Sequence, residues 1–138
     1  MILIINTTVS DRLMVGLAKR RKIIDRQGLV VGRSQAEKLL FLVDRVLKKN
    51  KIKFKDLKGV IVVTGPGGFS SVRLGVILAN TMGYALDIPV IGLRYSKKYS
   101  SLEELVADGI EILKDKSSFS MVHPFYNQKP NITTAKKK

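Results

Sequence analysis

One stretch constrains the fold of this 138-residue chain more than any other: Gly65-Pro66-Gly67-Gly68-Phe69-Ser70-Ser71-Val72-Arg73-Leu74-Gly75. It joins an apolar run, Val60 to Val63, to a long apolar segment reaching about Leu86. Three glycines and a proline within four positions predict a tight strand-to-helix turn, because glycine tolerates positive φ and close backbone approach. Ser70 or Ser71 is placed to cap the helix by accepting from a free backbone N–H. Open N–H groups and the positive end of the helix dipole would suit an anion. The turn departs from a Walker loop, since no Lys-Ser/Thr pair follows its last glycine. A structural turn with a cap is the plain reading. An anion cradle built from Gly65, Gly67, Gly68, Ser70 and Ser71 stands beside it.

The length and a hydrophobic content of 45% suit one domain with a core. With no cysteine, a disulfide framework and a thiolate metal site are both excluded. The opening Met1-Ile2-Leu3-Ile4-Ile5-Asn6 lacks a basic leader and a small-residue cleavage site, so it reads as a strand rather than a signal peptide. No apolar run approaches the roughly 18 residues of a membrane span. A cytoplasmic protein away from membranes is expected.

The formal net charge is +14, from 25 Lys+Arg against 11 Asp+Glu. Much of it lies in Lys19-Arg20-Arg21-Lys22, between Lys48 and Lys58, and in Lys136-Lys137-Lys138. Such an excess favours polyanions, RNA above all. Few aromatics accompany the lysines, so no stacking platform for single strands is expected. RNA contact through Lys19, Arg20, Arg21 and Lys22 and a merely solvated basic surface are both open readings.

Along the chain, Ile2 to Val9, Leu13 to Ala18 and Ile23 to Val30 read as three strands joined by short turns, an antiparallel meander. Ser34 with Glu37 three residues later has capping-box spacing. The helix it opens carries Ala36, Leu39, Leu40, Val43, Val46 and Leu47 at helical spacing, and Lys48, Lys49 and Lys51 close it. Then come the Val60–Val63 strand, the glycine turn and the second helix, which Asp87-Ile88-Pro89 ends. Val90 to Leu93 is a further strand. Ser100 to Ala107 is a third helix, with Ser101 as cap and Glu103 and Glu104 in its first turn. Phe119 to Val122 reads as one more candidate strand. The order βββαβα(βα) predicts an α/β fold, a mixed sheet flanked by helices. It is also the core order of the ribonuclease H-like and actin-like folds.

The second helix is apolar nearly all round through Val72, Leu74, Val76, Ile77, Leu78, Met82, Ala85 and Leu86, which predicts burial nearly all round. One side can lie on the sheet, and the other needs a cover. Gly75, Ala79 and Gly83 form a small-residue row at i, i+4, i+8 that would let another helix come close. The cover is either the first helix of the same chain or a second subunit.

Independent catalysis is not expected. His123 is the only histidine and precedes a proline, so neither a histidine metal site nor a Ser-His-Asp set can be assembled. A two-metal nuclease needs carboxylates at the first strand, which here ends in Asn6-Thr7-Thr8. Asp11 reads as a turn residue, and Asp44, Glu103 and Glu104 as helix residues. Neither a metal nor a cofactor is expected.

These residues resemble the TsaB (YeaZ) family, the non-catalytic partners in bacterial synthesis of threonylcarbamoyladenosine (t6A) on tRNA. The family's first strand ends Asp-Thr-Ser, matched by Asn6-Thr7-Thr8. Its first helix opens His-Ser-Glu-x-Leu-Leu-Pro, matched by Gln35-Ala36-Glu37-Lys38-Leu39-Leu40-Phe41. Its signature Gly-Pro-Gly-Ser-Phe-Thr-Gly-Leu-Arg-Ile-Gly is matched by the stretch from Gly65 to Gly75. Ile88-Pro89-Val90-Ile91-Gly92-Leu93 matches the next strand. The resemblance covers about residues 1–107.

The resemblance implies an actin-like lobe. It also implies pairing through the helices with a TsaD-like catalytic subunit and recruitment of a TsaE-like ATPase by the pair. Asn6 and Gln35 replace an acid and a histidine of the family pattern. The chain is too short for the family's second half, while Pro124-Phe125-Tyr126-Asn127-Gln128-Lys129-Pro130-Asn131-Ile132-Thr133 resembles its closing arm. Residues 1–107 are therefore expected to form the N-terminal lobe, and residues 108–138 a shortened remnant with a basic arm, the second lobe missing. The expected role is a scaffold that dimerises through Leu39, Leu40, Val43, Val72, Val76, Ala79 and Gly83, with tRNA held indirectly or by the basic surface. A homodimeric or RNA-binding module is the alternative. A residual hydrolase is the third reading, and it lacks its metal ligands.

Overall fold

A computed structural model describes residues 1–9, 11–30, 32 and 34–124. The sequence expectations for the arm beyond Pro124 lie outside these residues. Five strands, β1 (Ile2–Asn6), β2 (Arg12–Lys19), β3 (Lys22–Val30), β4 (Gly59–Gly65) and β5 (Val90–Arg94), form one sheet in the order β3-β2-β1-β4-β5. The first three pair antiparallel, and β4 pairs parallel with β1 and with β5. Three helices flank it: α1 (Gln35–Lys49), α2 (Phe69–Leu86) and α3 (Leu102–Leu113). The mixed α/β lobe expected from the order of elements is the one observed. Among the described residues no helix is long and apolar enough to cross a membrane.

Each face of the sheet carries its own core. Leu3, Ile5, Val15, Leu17, Val60 and Val62 pack beneath α1 and α2. Ile4, Ala18, Ile61, Val63 and Ile91 pack beneath α3. Because side chains alternate along a strand, covering both faces makes β1 and β4 continuously apolar rather than alternating. The edge strand β3 alternates between exposed and half-buried positions, as a strand facing solvent does.

Several boundaries differ from expectation, each for a local reason. β1 stops at Asn6, not Val9, because the Asn6 amide oxygen accepts from the Thr8 N–H (3.0 Å) and hydroxyl (2.6 Å) and turns the chain. Ser34 sits in the left-handed region at φ 59° and makes no side-chain cap, so the capping box is not formed. Ser70 and Ser71 do not cap α2 either. The helix begins one residue earlier, after Gly68, which puts both serines inside its first turn. At α3 the expected cap is present, with the Ser101 side chain accepting from the Glu104 N–H at 3.2 Å. That helix runs to Leu113 and buries Ile110 and Leu113, so a unit ending at residue 107 would cut it. Phe119 to Val122 is not a strand. The Asn80 side chain on α2 donates to the Val122 carbonyl and accepts from its N–H, both at 2.9 Å, and so takes the place of a sheet partner.

Helix α2 is buried on one side only. Val72, Gly75, Val76, Ala79, Met82 and Gly83 face the sheet, while Ile77 and Tyr84 are exposed. The small-residue row therefore lets α2 lie close on its own sheet, not on another helix. A Cβ added at Gly75 would come within 2.6 Å of the Thr7 hydroxyl oxygen, and one at Gly83 would strike Val90 and Phe119.

Two outcomes follow from this packing. Gly75→Ala should lower the urea midpoint. Overpacking costs about 1–3 kcal/mol against about 1 kcal/mol gained in helix propensity, and the Thr7 hydroxyl is tied to the Ser71 carbonyl and cannot swing aside. A chain as stable as the parent would show that α2 can lift freely from β1. Asn80→Ala should cost about 1–3 kcal/mol in the same measurement, by leaving the part-buried Val122 backbone pair unmade, and should speed proteolysis beyond Leu113. Unchanged cleavage would mean that apolar contacts of Phe119 and Val122 alone hold the segment.

Candidate functional site

The loops after β1 and β4 meet at the carboxyl ends of the strands. Gly67 packs so tightly on the first loop that an added Cβ would lie 3.0 Å from both Cα and the carbonyl oxygen of Thr8. Gly65 takes φ 140°, a conformation that side chains disfavour, and its carbonyl accepts from the Tyr95 N–H at 2.8 Å. The Gly65-Pro66 peptide is cis. The fully buried Thr7 donates its hydroxyl to the Ser71 carbonyl at 2.6 Å, which welds β1 to the first turn of α2. The Ser71 hydroxyl lies 3.4 Å from the Gln35 side-chain oxygen, which brings the starts of α1 and α2 together.

These contacts leave a small cleft of about 140 Å³ lined by Thr7, Thr8, Val9, Asp11, Gln35, Gly68 and Ser71. Of the residues expected to cradle an anion, Gly68 and Ser71 line it. Ser70 is exposed, and Gly65 is spent on the turn and its bond to Tyr95. No side chain caps the helix start, which favours an anion. The Asp11 carboxylate in the wall opposes one. Asn6, at the position of the family's acid, is buried with its amide oxygen engaged by Thr8. Among the described residues no three His, Asp or Glu side chains are grouped closely enough to hold a metal ion.

A larger open cleft of about 580 Å³ lies beyond β4 and β5, where Arg94, Lys98, Tyr99 and His123 contribute to its walls. Beside it the Asp108 carboxyl accepts from the Tyr99 hydroxyl at 2.9 Å and pairs with Lys98 at 3.3 Å. The Tyr99 bond, then Lys98, hold that carboxyl below its ordinary range. The arrangement is a surface charge network.

The residues expected at a subunit interface divide sharply. Leu39, Val43, Val72, Val76 and Ala79 are buried in the core of this one chain and Gly83 lies under Val90 and Phe119, so none of these presents a side chain to a partner. The apolar pattern was read without knowing which flank of each helix faces the sheet. Leu40 alone of the set is exposed, at 56%. It has company that the sequence reading did not select: Phe41 beside it on α1, and Ile77 and Tyr84 on α2. The two helices follow β3 and β4, which both run parallel to β1, so they return in the same direction over the same sheet face. From their joined starts, Leu40 lies about 8 Å and Ile77 about 9 Å along, at 1.5 Å per residue, so the two stand at similar heights.

The basic turn is placed as expected. Lys19, Arg20, Arg21 and Lys22 are all exposed at the tip of the β2–β3 hairpin, with Arg20 and Arg21 at φ 52° and 73°. Arg21 pairs with Glu111 of α3. Two structural residues went unread in the sequence, Thr7 and Asn80. For Asn80, a polar side chain within a largely apolar helix was the available signal; Thr7, within Asn6-Thr7-Thr8, carried none.

The family model for TsaD, tRNA N6-adenosine threonylcarbamoyltransferase, matches residues 21–97, more than half of the chain. The TsaB protein of Bacillus subtilis, described as a tRNA threonylcarbamoyladenosine biosynthesis protein, is 44% identical over 55 residues, which are 40% of this chain and 21% of that one. The protein of the same description from Buchnera aphidicola is 29% identical over 119 residues, 80% of this chain and 56% of its own. A tRNA N6-adenosine threonylcarbamoyltransferase of Syntrophotalea carbinolica is 29% identical over 66 residues, 48% of this chain and 19% of the relative. The chain thus spans from about a fifth to just over half the length of these relatives. The solved YeaZ of Pseudomonas aeruginosa superposes with a TM-score of 0.61 at 22% identity, over 67% of this chain and 43% of that one. That likeness concerns the fold. The sequence and fold resemble TsaB (YeaZ), and the chain belongs to the family described by the tRNA N6-adenosine threonylcarbamoyltransferase TsaD.

Proposed function

We propose that this chain serves t6A synthesis on tRNA as a non-catalytic subunit, docking on a TsaD-like catalytic subunit through the outer face of α1 and α2. The observation that carries the reading is that, among the described residues, Leu40, Phe41, Ile77 and Tyr84 are large apolar side chains left exposed on two helices joined at their starts. Several large apolar side chains gathered on one outer face, rather than scattered singly, suit a surface that another protein covers. The non-catalytic part rests on Asn6, whose side chain supplies no charge at the end of β1 and is already engaged by Thr8. The family's work on tRNA makes the cytoplasm the place of action, and recruitment of a TsaE-like ATPase belongs to the same reading. The same stripe would also serve a homodimer, which is the competing use of the face.

Light scattering after size exclusion, on the chain alone and mixed with the TsaD homologue from the same source, tests this. A one-to-one complex is expected from the mixture. The double variant Leu40→Glu/Ile77→Glu should weaken that complex at least about ten-fold while leaving the unfolding midpoint nearly unchanged, because both side chains are already exposed. A self-dimer that ignores the TsaD homologue would overturn the reading in favour of an independent homodimeric module.

A further inference from the structure

The end of the sheet remote from the glycine turn gathers cations from segments far apart in sequence. Ile2 pairs with Ala18 on one side and Gly59 on the other, so Lys19 and Lys58 both flank the start of β1. The Met1 amine lies between them and is held below its ordinary value, first by burial and then by the charges of Lys58 and Lys19. The end of α1 is tied to the same region. Asn50 donates to Asp25 on β3 at 2.8 Å, and Lys49 pairs with it at 3.6 Å. The chain then forms a 3₁₀ turn, Phe54–Asp56, between the half-buried Ile52 and the buried Leu57. Those two apolar feet, with the Lys53 N–H donating to Asp56 at 2.9 Å, hold the turn outward. Phe54 projects from its crest, 48% exposed, between Lys53 and Lys55.

Of the acids at this end, Asp25 is engaged by Asn50 and Lys49, Asp56 by the Lys53 backbone and Glu111 by Arg21 and Lys114, while the exposed Asp87 at the end of α2 and Asp115 after α3 offset part of the positive charge. Among the described residues no ion pair engages Arg20, Lys22, Lys51, Lys55 or Lys58. The sequence has few aromatics among its lysines, and no stacking platform was expected; Phe54 is one such aromatic, and the fold sets it at this end of the sheet.

We infer that this end of the sheet binds RNA, with Arg20, Lys22, Lys51, Lys55 and Lys58 meeting phosphates and Phe54 stacking on an unpaired base. Cations spread over two separate segments suit a phosphodiester chain, which carries its charges at intervals, better than a compact ligand. A fixed exposed ring among them is the arrangement that accepts a base from a single strand or loop. A lipid surface fits less well. Interfacial binding draws on a broad apolar helix face, and here one ring stands among lysines. The surface is formed by the hairpin tip and the loop after α1, whereas the exposed helix stripe lies on the outer flank of α1 and α2. The inference therefore holds or fails independently of subunit pairing.

Fluorescence anisotropy of the full chain with a short labelled oligouridylate and with a blunt RNA duplex tests it. Affinity for oligouridylate should fall about a hundred-fold between about 50 and 200 mM salt if five phosphates are met. Phe54→Ala should weaken oligouridylate binding about ten-fold with an unchanged salt slope and unchanged duplex binding. Lys22→Glu/Lys55→Glu/Lys58→Glu should abolish most binding and flatten the slope while the circular dichroism is kept. If that triple variant does not fold, Phe54→Ala and the salt slope of the parent decide the matter. Failure to bind oligouridylate would overturn the inference, as would indifference to all these substitutions. Binding to phosphatidylserine-containing vesicles in preference to oligouridylate would overturn it in favour of a membrane surface.

Discussion

The close seating of α2 on β1 is the contact on which the rest of the lobe depends. It requires Gly75 to have no side chain, because the Thr7 hydroxyl occupies the space. The Thr7 hydroxyl in turn bonds the Ser71 carbonyl, so one buried polar group fixes the height of the helix on the strand. The rest follows from that height. The glycine turn can then touch the loop after β1 at Gly67 and Thr8, and Gln35 can meet Ser71, which sets α1 beside α2. In a core packed as densely as a crystal of small molecules, such a contact has little room for adjustment.

That geometry also sorts the surfaces. With Val72, Val76 and Ala79 turned onto the sheet, the opposite flank of α2 is left with Ile77 and Tyr84 facing out. The ring of Tyr84 meets Phe119 edge-to-face at 6.1 Å, so the segment after α3 covers part of the far end of the helix while the Ile77 end stays open. The stripe continues onto α1 at Leu40 and Phe41. A lobe whose two cores are otherwise closed thus exposes apolar surface on one flank and positive charge at one end of the sheet. The two surfaces rest on different residues.

The uncharged amide of Asn6 at the end of β1 has a structural role. An amide there accepts from the Thr8 N–H and hydroxyl and tightens the turn. In this chain the end of β1 serves as a joint between loop and helix. The charged groups of the carboxyl-end clefts, Arg94, Lys98 and Asp108 among them, are engaged in surface pairs or line an open cleft. The carboxyl ends of the strands are consequently the part of the lobe with the least conspicuous chemistry, and its flanks and opposite end carry the features that point to partners.

Element order, the mixed sheet, the two apolar strands and the glycine turn could be read in the sequence, because backbone geometry and hydrophobic period act locally. The Ser101 cap of α3 was legible for the same reason. The caps expected at Ser34, Ser70 and Ser71 do not form, because where a helix begins depends on how the preceding loop is held. The direction in which an apolar helix faces is decided by packing alone. A pattern apolar on nearly every side does not say which side meets the sheet, so the Gly75, Ala79 and Gly83 row was legible as a close contact but not as an internal one. The sequence by itself determined that this chain makes a small mixed α/β lobe with a great excess of positive charge. Only the tertiary structure decided which apolar residues remain outside and that the Lys51–Lys58 loop with Phe54 shares one end of the sheet with the Lys19–Lys22 hairpin tip, since both depend on contacts between residues far apart along the chain.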